Sequence, residues 1–596
     1  MKPVFIVCAG LALGMSVGAA PPQSQPQKST YRTLDDRFAP PQFSSLDEWK
    51  RRAEYLREHV LASAGLLPLP EKTPLHPSVF GETAHSDYRV SKVYFESLPG
   101  FFVTGNLYRP IGDGPFPAIL SPHGHWAYGR LENTPLNSGP GRAISLARQG
   151  YVVFTYDMIG YNDSHQLPHT FGGRRELLWG LSLSGLQLWN SIRSLDFLES
   201  LPDVRRDAIG VTGESGGGTQ TFLLSAVDPR VAVAVPVNMI SLQMQGGCLC
   251  ENPPGLRLET TNVEIAATIA PRPLLMVSAT GDWTKETMER EYPAVRAIYE
   301  LFGAADRVHA VRFDAEHNYN RDSREAMYAW MARWLQQAPP DVKRTEKSFT
   351  PDHVPDLLVF FERPLPSGAV TPAQLTDYWI ESARRQLAST RPSAFAPALR
   401  HALGFAATPV DTSAVPGVTR TVLLAGSNPE IERALSADRY RVIPIPFTSF
   451  DAAAAAKVRH FETYNRTIAS QRVADIVAAI RANPGSPLVA DGDDALAGLL
   501  AAALASVPLA ILDVAKFDAS SDDQFLDHVY IPGIRRAGDF PTAVSLARGK
   551  LVIHNAGERF RASGVEMHAA RLSAKEITDI LGRSAPKVGS RKRRTP

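Results

Sequence analysis

Between residues 116 and 313 the sequence repeats one unit, a short apolar run followed by a stretch of helical character. The runs fall at 116–120, 151–156, 208–212, 232–237, 274–278 and 308–313. Strands written as continuous apolar runs, without polar alternation, are buried on both faces. Joined through helices, they describe a mostly parallel sheet with helices on both sides. A hairpin leads the pattern, with strands from Tyr88 and from Phe101 around Leu98-Pro99-Gly100. A helix from Arg324 to Gln336 closes it, and Pro339-Pro340 breaks it. Upstream, Ser45-Leu46-Asp47-Glu48 has capping-box spacing and predicts an amphipathic helix to about Ala62.

One core of this kind does not use up 596 residues, because single cores stop growing at roughly 250–300 residues. A second α/β pattern follows, with strands at 421–424, 442–446, 487–490, 509–512 and 551–554 and alanine-rich helices between them. The expected organisation is a signal peptide at 1–20, a linker and N-terminal helical segment at 21–87, the first α/β domain at 88–340 and an irregular connection at 341–418. The second α/β domain then occupies 419–580 and a basic disordered tail 581–596. Met1-Lys2, the apolar run from Val4 and the small residues Gly18-Ala19-Ala20 fit export, with Ala19 or Ala20 as the last residue removed. The alternative is an uncleaved anchor. Lys2, Lys587, Arg591, Lys592, Arg593 and Arg594 carry six positive charges, which leaves 57 basic against 61 acidic residues in the body. A body at −4 lacks the basic footprint of a nucleic-acid binder. Loss of Cys8 with the leader leaves Cys248 and Cys250, too few for a disulfide framework.

The segment that carries chemistry is Gly213-Glu214-Ser215-Gly216-Gly217, between the strand ending at Thr212 and a helix-compatible stretch from Thr219. Glycines on a strand-turn-helix allow a sharp corner that exposes the Ser215 hydroxyl and aims the next helix N-terminus at the reacting centre. Serine needs a histidine base, and the imidazole needs a carboxylate to fix its tautomer. Asp282 follows the strand 274–278 and His317 follows the strand 308–313, both at C-terminal ends. The amides of Gly216 and of His125, in Ser121-Pro-His-Gly-His-Trp126, are the expected oxyanion donors, with Trp126 as fallback. His309 lies at the wrong end of its strand, while Glu251 is a rival acid better suited to contacting substrate. Neither a metal-ligand spacing nor a phosphate loop is present, so no metal and no cofactor is expected. Cys248 and Cys250 read as a strained local disulfide, free thiols or simple packing, since two cysteines are too few for a closed zinc site, and Trp126 and Trp283 read as substrate-facing aromatics.

The order Ser215, Asp282, His317, the His-Gly-His loop and the hairpin with Gly105-Asn-Leu-Tyr-Arg-Pro110 resemble the α/β-hydrolase superfamily, and within it bacterial acetyl xylan esterases and dienelactone-hydrolase-like esterases. The resemblance spans about 88–335 and implies an α/β-hydrolase fold, ester hydrolysis through an acyl-enzyme and no cofactor. Gly216 stands where glucuronoyl esterases resemble Ser-Arg, which weakens the case for a uronate ester. The second region resembles a degenerate hydrolase half: Asp491-Gly492-Asp493-Asp494 follows its strand without serine or cysteine. The expectation is an exported serine carboxylesterase acting on an acylated carbohydrate, with the oligomeric state open. The alternatives are a peptidase or amidase with the same triad and a non-catalytic binding scaffold.

Overall fold

The structure, a computed structural model, describes residues 31–406, 408 and 415–584. The expected signal peptide and most of the basic tail lie outside the described residues. The first strands are β1 (Ser78–Ala84), β2 (Tyr88–Leu98), β3 (Phe101–Pro110), β4 (Phe116–Pro122) and β5 (Val152–Tyr156). They continue as β6 (Val204–Glu214), β7 (Val231–Val237), β8 (Leu274–Ala279) and β9 (Val308–Phe313). These nine form one sheet in the order β1-β2-β3-β5-β4-β6-β7-β8-β9. Pairing is antiparallel from β1 to β5 and parallel from there to β9. This is the α/β-hydrolase fold.

Alternation along the strands divides the core. Ala118, Leu120, Val152, Phe154, Ile209 and Val211 pack on one face with Leu186, Trp189, Phe222 and Leu223 from the helices Leu183–Ser200 and Gly216–Val227. Ile119, Val153, Val233, Val235 and Val277 pack on the other with Ile144, Met327 and Met331 from the helices Gly139–Arg148 and Arg321–Leu335. Each run is apolar throughout because both faces are covered.

A second sheet is built from β10 (Thr421–Ala425), β11 (Arg441–Pro444), β12 (Leu488–Asp491), β13 (Leu509–Asp513), β14 (Lys550–His554) and β15 (Glu566–Met567), in the order β11-β10-β12-β13-β14-β15. All its pairs are parallel. Its outer face holds Val422, Val489, Ile511 and Val552 against Leu435 and Ile577. Its inner face, through Leu423, Leu488, Leu512 and Ile553, belongs to the same hydrophobic cluster as the first sheet's Leu120 and Phe154. The two sheets therefore share buried apolar surface.

Two expectations are corrected. The connection at 341–418 contains an 18-residue helix, Pro372–Ser389, opened by a Thr371/Gln374 capping box with proline at its start. Its Trp379 indole donates to the Trp179 carbonyl at 2.9 Å. Residues 581–584, assigned above to the tail, close the helix Ala574–Ser584, whose Ile577 and Leu581 are buried. Among the described residues no helix is long and apolar enough to cross a membrane.

Candidate active site

Ser215 sits at the corner between β6 and the helix Gly216–Val227 with φ 55° and ψ −121°. A positive φ at a non-glycine residue is costly, and strand-helix packing holds it. Gly216 is the first residue of that helix, so its amide has no carbonyl one turn back to bond. The loop after β4 passes directly over this corner. A Cβ at Gly124 would stand 2.9 Å from the Glu214 carbonyl oxygen and 3.1 Å from Ser215 Cβ, so only glycine allows the approach.

Glu214 organises that loop. Its fully buried carboxylate accepts from the Gly124 amide at 3.0 Å, the Trp126 indole at 2.8 Å and Asn137 Nδ2 at 3.0 Å. Its other oxygen accepts from Arg142 at 3.1 Å. Arg142 also donates to Ser121 Oγ at 3.0 Å and lies 4.5 Å from the Tyr319 ring centre. Gly124's amide is thereby committed, while the His125 amide has no acceptor among the described residues. His123 is structural: Nδ1 donates to the Gly124 carbonyl at 2.7 Å and Nε2 accepts from the Met158 amide at 3.0 Å. Burial pushes its pKa down to about 3, so it stays neutral. Arg130, fully buried, pairs with Asp157 and Asp163 beneath the same loops.

His317 and Asp282 meet across the ends of β8 and β9. His317 Nδ1 donates to Asp282 Oδ2 at 2.8 Å, and Asp282 Oδ1 accepts from the Thr284 amide at 2.7 Å and hydroxyl at 2.5 Å. The carboxylate is nearly sealed, at 2% side-chain exposure, while the imidazole keeps 26% and stays open to solvent. No bond joins Ser215 Oγ to His317 among the described residues; such contacts tighten once substrate occupies the site. The Trp283 and Trp126 rings lie 4.5 Å and 6.4 Å from the imidazole, so two aromatic walls flank it.

Glu251 is a correction. It is buried, accepting from the Gly247 and Cys248 amides at 2.8 and 3.0 Å and from Thr219 Oγ1 at 3.2 Å. One oxygen serves the loop it lies on and the other ties that loop to the helix Gly216–Val227, while His317 bonds Asp282, so Glu251 does not replace Asp282.

Of the readings left open for the two cysteines, the structure has the free thiols. Cys248 and Cys250 are free thiols, and loop convergence places them beside His125 and His169, with the four donor atoms all within 4.8 Å of one another. Hydrogen bonding from Cys250 pulls the Cys248 thiol far down, and burial pushes Cys250 up. No local spacing motif marks this cluster, because the histidines lie 79 or more residues upstream of the cysteines. These four residues, and no other group among the described residues, could hold a metal ion.

This strand order defines the α/β-hydrolase fold, and a serine corner, a carboxylate and a histidine stand at the C-terminal ends of its strands. No family model matches the chain. It is 27% identical over 259 residues to YtaP of Bacillus subtilis (strain 168), a protein provisionally named a hydrolase, across 40% of this chain and 84% of that one. Among solved structures it is similar to methylesterase BT1017, at 29% identity and TM-score 0.49 over 58% of this chain and 78% of the other. It is also similar to a provisionally named acetyl xylan esterase from Bacteroides fragilis NCTC 9343, at 18% identity and TM-score 0.39 over 52% and 90%.

Proposed function

We propose that the chain is a serine carboxylesterase that cleaves acyl esters through an acyl-enzyme at Ser215. The observation that carries this reading is a strained serine corner sharing one sheet edge with the His317–Asp282 pair. Asp282 holds Nδ1 protonated, which leaves Nε2 as the base. Ser215 Oγ attacks the ester carbonyl while its proton passes to Nε2. The carbonyl oxygen takes the negative charge opposite the amides of Gly216 and His125. Collapse breaks the ester C–O bond, and the leaving alkoxide recovers the proton from Nε2. Water then repeats the sequence and releases the acid.

An acylated carbohydrate is the substrate class that suits the Trp126 and Trp283 walls, since flat indoles pack against sugar rings without demanding a charge. The second α/β region acts as a catalytically silent partner in this reading, and the chain is exported. Purified mature protein should turn over p-nitrophenyl esters and acetylated glycans but not peptide amides. Amide turnover would favour a peptidase, and inert protein a binding scaffold. Mass spectrometry of secreted material should find an N-terminus at Ala20 or Pro21; membrane-bound protein retaining Met1 would make the segment an anchor.

A further inference from the structure

Three loops with no sequence proximity deliver two imidazoles and two thiols to one spot beside the elbow. His125 comes from the loop after β4, His169 from the segment after β5, and Cys248 and Cys250 from the loop after β7. His125 Nε2 lies 3.0 Å from Cys250 Sγ. His169 Nδ1 donates to the Ile159 carbonyl at 2.6 Å, which fixes the tautomer and leaves Nε2 as the lone-pair nitrogen. That Nε2 is buried, with no donor at full hydrogen-bond geometry and the Cys248 sulfur as its neighbour. A buried acceptor so weakly met is costly unless something better fills the space before it.

We propose that His125, His169, Cys248 and Cys250 bind a zinc-class divalent cation as a closed, four-coordinate structural site. Zinc takes tetrahedral Cys₂His₂ sets at about 2.3 Å from sulfur and about 2.0–2.1 Å from nitrogen. Those bonds separate the donor atoms by roughly 3.3–3.8 Å, so a set already within 4.8 Å needs only side-chain adjustment to close. Two thiolates and two imidazoles select against the hard cations, which prefer oxygen. All four positions are filled by protein, so no site remains for a metal-bound water and the ion takes no part in ester chemistry. Thiolates are the ligands, so binding releases any proton still held on sulfur.

The outer contacts suit this role. Glu251 holds the Gly247 and Cys248 amides. The buried Arg257 donates to the Glu251 carbonyl at 2.7 Å and Asn252 Oδ1 at 3.0 Å. From the second α/β region, Arg459 donates to the Gly247 carbonyl and Thr463 Oγ1 to the Asn252 carbonyl at 2.8 Å. The cysteine loop is thus built from both sides, and the ion would tie it to His125. The ring of His125 already packs against Gly216, where an added Cβ would stand 2.5 Å from its Cε1. The cation therefore positions the loop that supplies an oxyanion amide; it is not a catalytic group.

The test uses full-length protein purified without a histidine tag or chelator. Elemental analysis after dialysis against zinc should give one zinc per chain, and the Cys248→Ser/Cys250→Ser variant should give none. Cobalt(II) added to chelator-stripped wild type should develop thiolate-to-cobalt charge transfer and the intense visible bands of tetrahedral cobalt, a readout that needs no variant to fold. Hydrogen exchange should slow together in peptides covering 121–130 and 245–252 when zinc is restored. Metal-free wild type without a thiolate–cobalt band would overturn the proposal, as would non-reduced protein lighter by the two hydrogens of a Cys248–Cys250 disulfide. None of these readings depends on esterase turnover, so failure of one assignment leaves the other intact.

Discussion

Each sheet has a strand-to-helix corner with a positive φ, and the two corners carry opposite chemistry. After β6 the chain turns into a helix through Ser215 at φ 55°; after β12 it turns into the helix Gly492–Ala502 through Gly492 at φ 57°. Where the first corner carries a hydroxyl, the second carries no side chain at all. The surroundings differ to match. Asp282 at the first site orients an imidazole that is open to solvent. At the second, Asp513 pairs with Arg571 at 2.8 Å and accepts from Asn555 at 2.8 Å, while Asp491 accepts from Asn428 at 3.1 Å. His554 Nδ1 accepts from the Leu572 amide at 3.1 Å. Parallel topology thus supplies a place for chemistry at strand C-terminal ends, and side chains decide whether any occurs.

The largest effect that tests this contrast is at the nucleophile. Ser215→Ala should lower ester turnover by about 10⁴–10⁶ and abolish labelling by a fluorophosphonate probe. A labelled serine beyond residue 419, found by peptide mass spectrometry, would break the contrast outright. Next comes the acid: Asp282→Asn should cost about 10⁴ in kcat through the wrong imidazole tautomer, whereas Asp513→Asn should leave kcat within about twofold. A comparable loss from Asp513→Asn would mean that the second corner works.

Glu214 sharpens the comparison through stability. Its carboxylate and Arg142 are sealed together, so Glu214→Gln leaves a buried guanidinium uncompensated, at a cost of about 3–5 kcal/mol. Asp491→Asn, at a part-exposed carboxylate, should cost about 1 kcal/mol or less. Urea unfolding of both variants measures the difference, and equal shifts would show that the Glu214 network does not brace the first site.

Most of the strand framework was legible because burial on both faces writes itself as short apolar runs, and the strand-end positions of Asp282 and His317 followed from it. β1 escaped because its burial is slight and its sequence, Ser78-Val-Phe-Gly-Glu-Thr-Ala84, has little apolar content. The helix Pro372–Ser389 had a readable start in Thr371-Pro372-Ala373-Gln374, passed over amid the surrounding prolines. What sequence could not show were contacts made by loop convergence. Glu214 meets residues 72–90 positions away, and the four-donor cluster draws on three loops. Glu251 looked available because irregular Gly/Pro-rich sequence resembles exposed loop, yet its neighbours' amides turn it inward.

The last effect concerns the seam between the two regions. His59, on the helix Leu46–Ser63, is fully buried, with Nε2 3.1 Å from both the Gly255 and Leu256 carbonyls. Nε2–H must be the donor, so Nδ1 accepts from His401 Nδ1 at 3.1 Å, in the short helix Ala396–Ala402 that leads toward the second sheet. Burial, reinforced by the nearby His401, pushes the His59 pKa down to about 3. The unfolded chain protonates this histidine near its ordinary value of about 6.5, while the folded chain keeps it neutral until about 3. Within that window the unfolded state binds more protons, so stability falls as pH falls, by up to about 1.4 kcal/mol per pH unit. Other groups titrate over the same range, so the informative quantity is the difference from His59→Gln, which keeps a donor for the carbonyls and cannot be protonated. Urea midpoints measured from about pH 6.5 to about pH 4 should fall more steeply for the wild type than for the variant. Parallel curves would mean that His59 is not held neutral and that acid does not weaken the seam at this histidine pair.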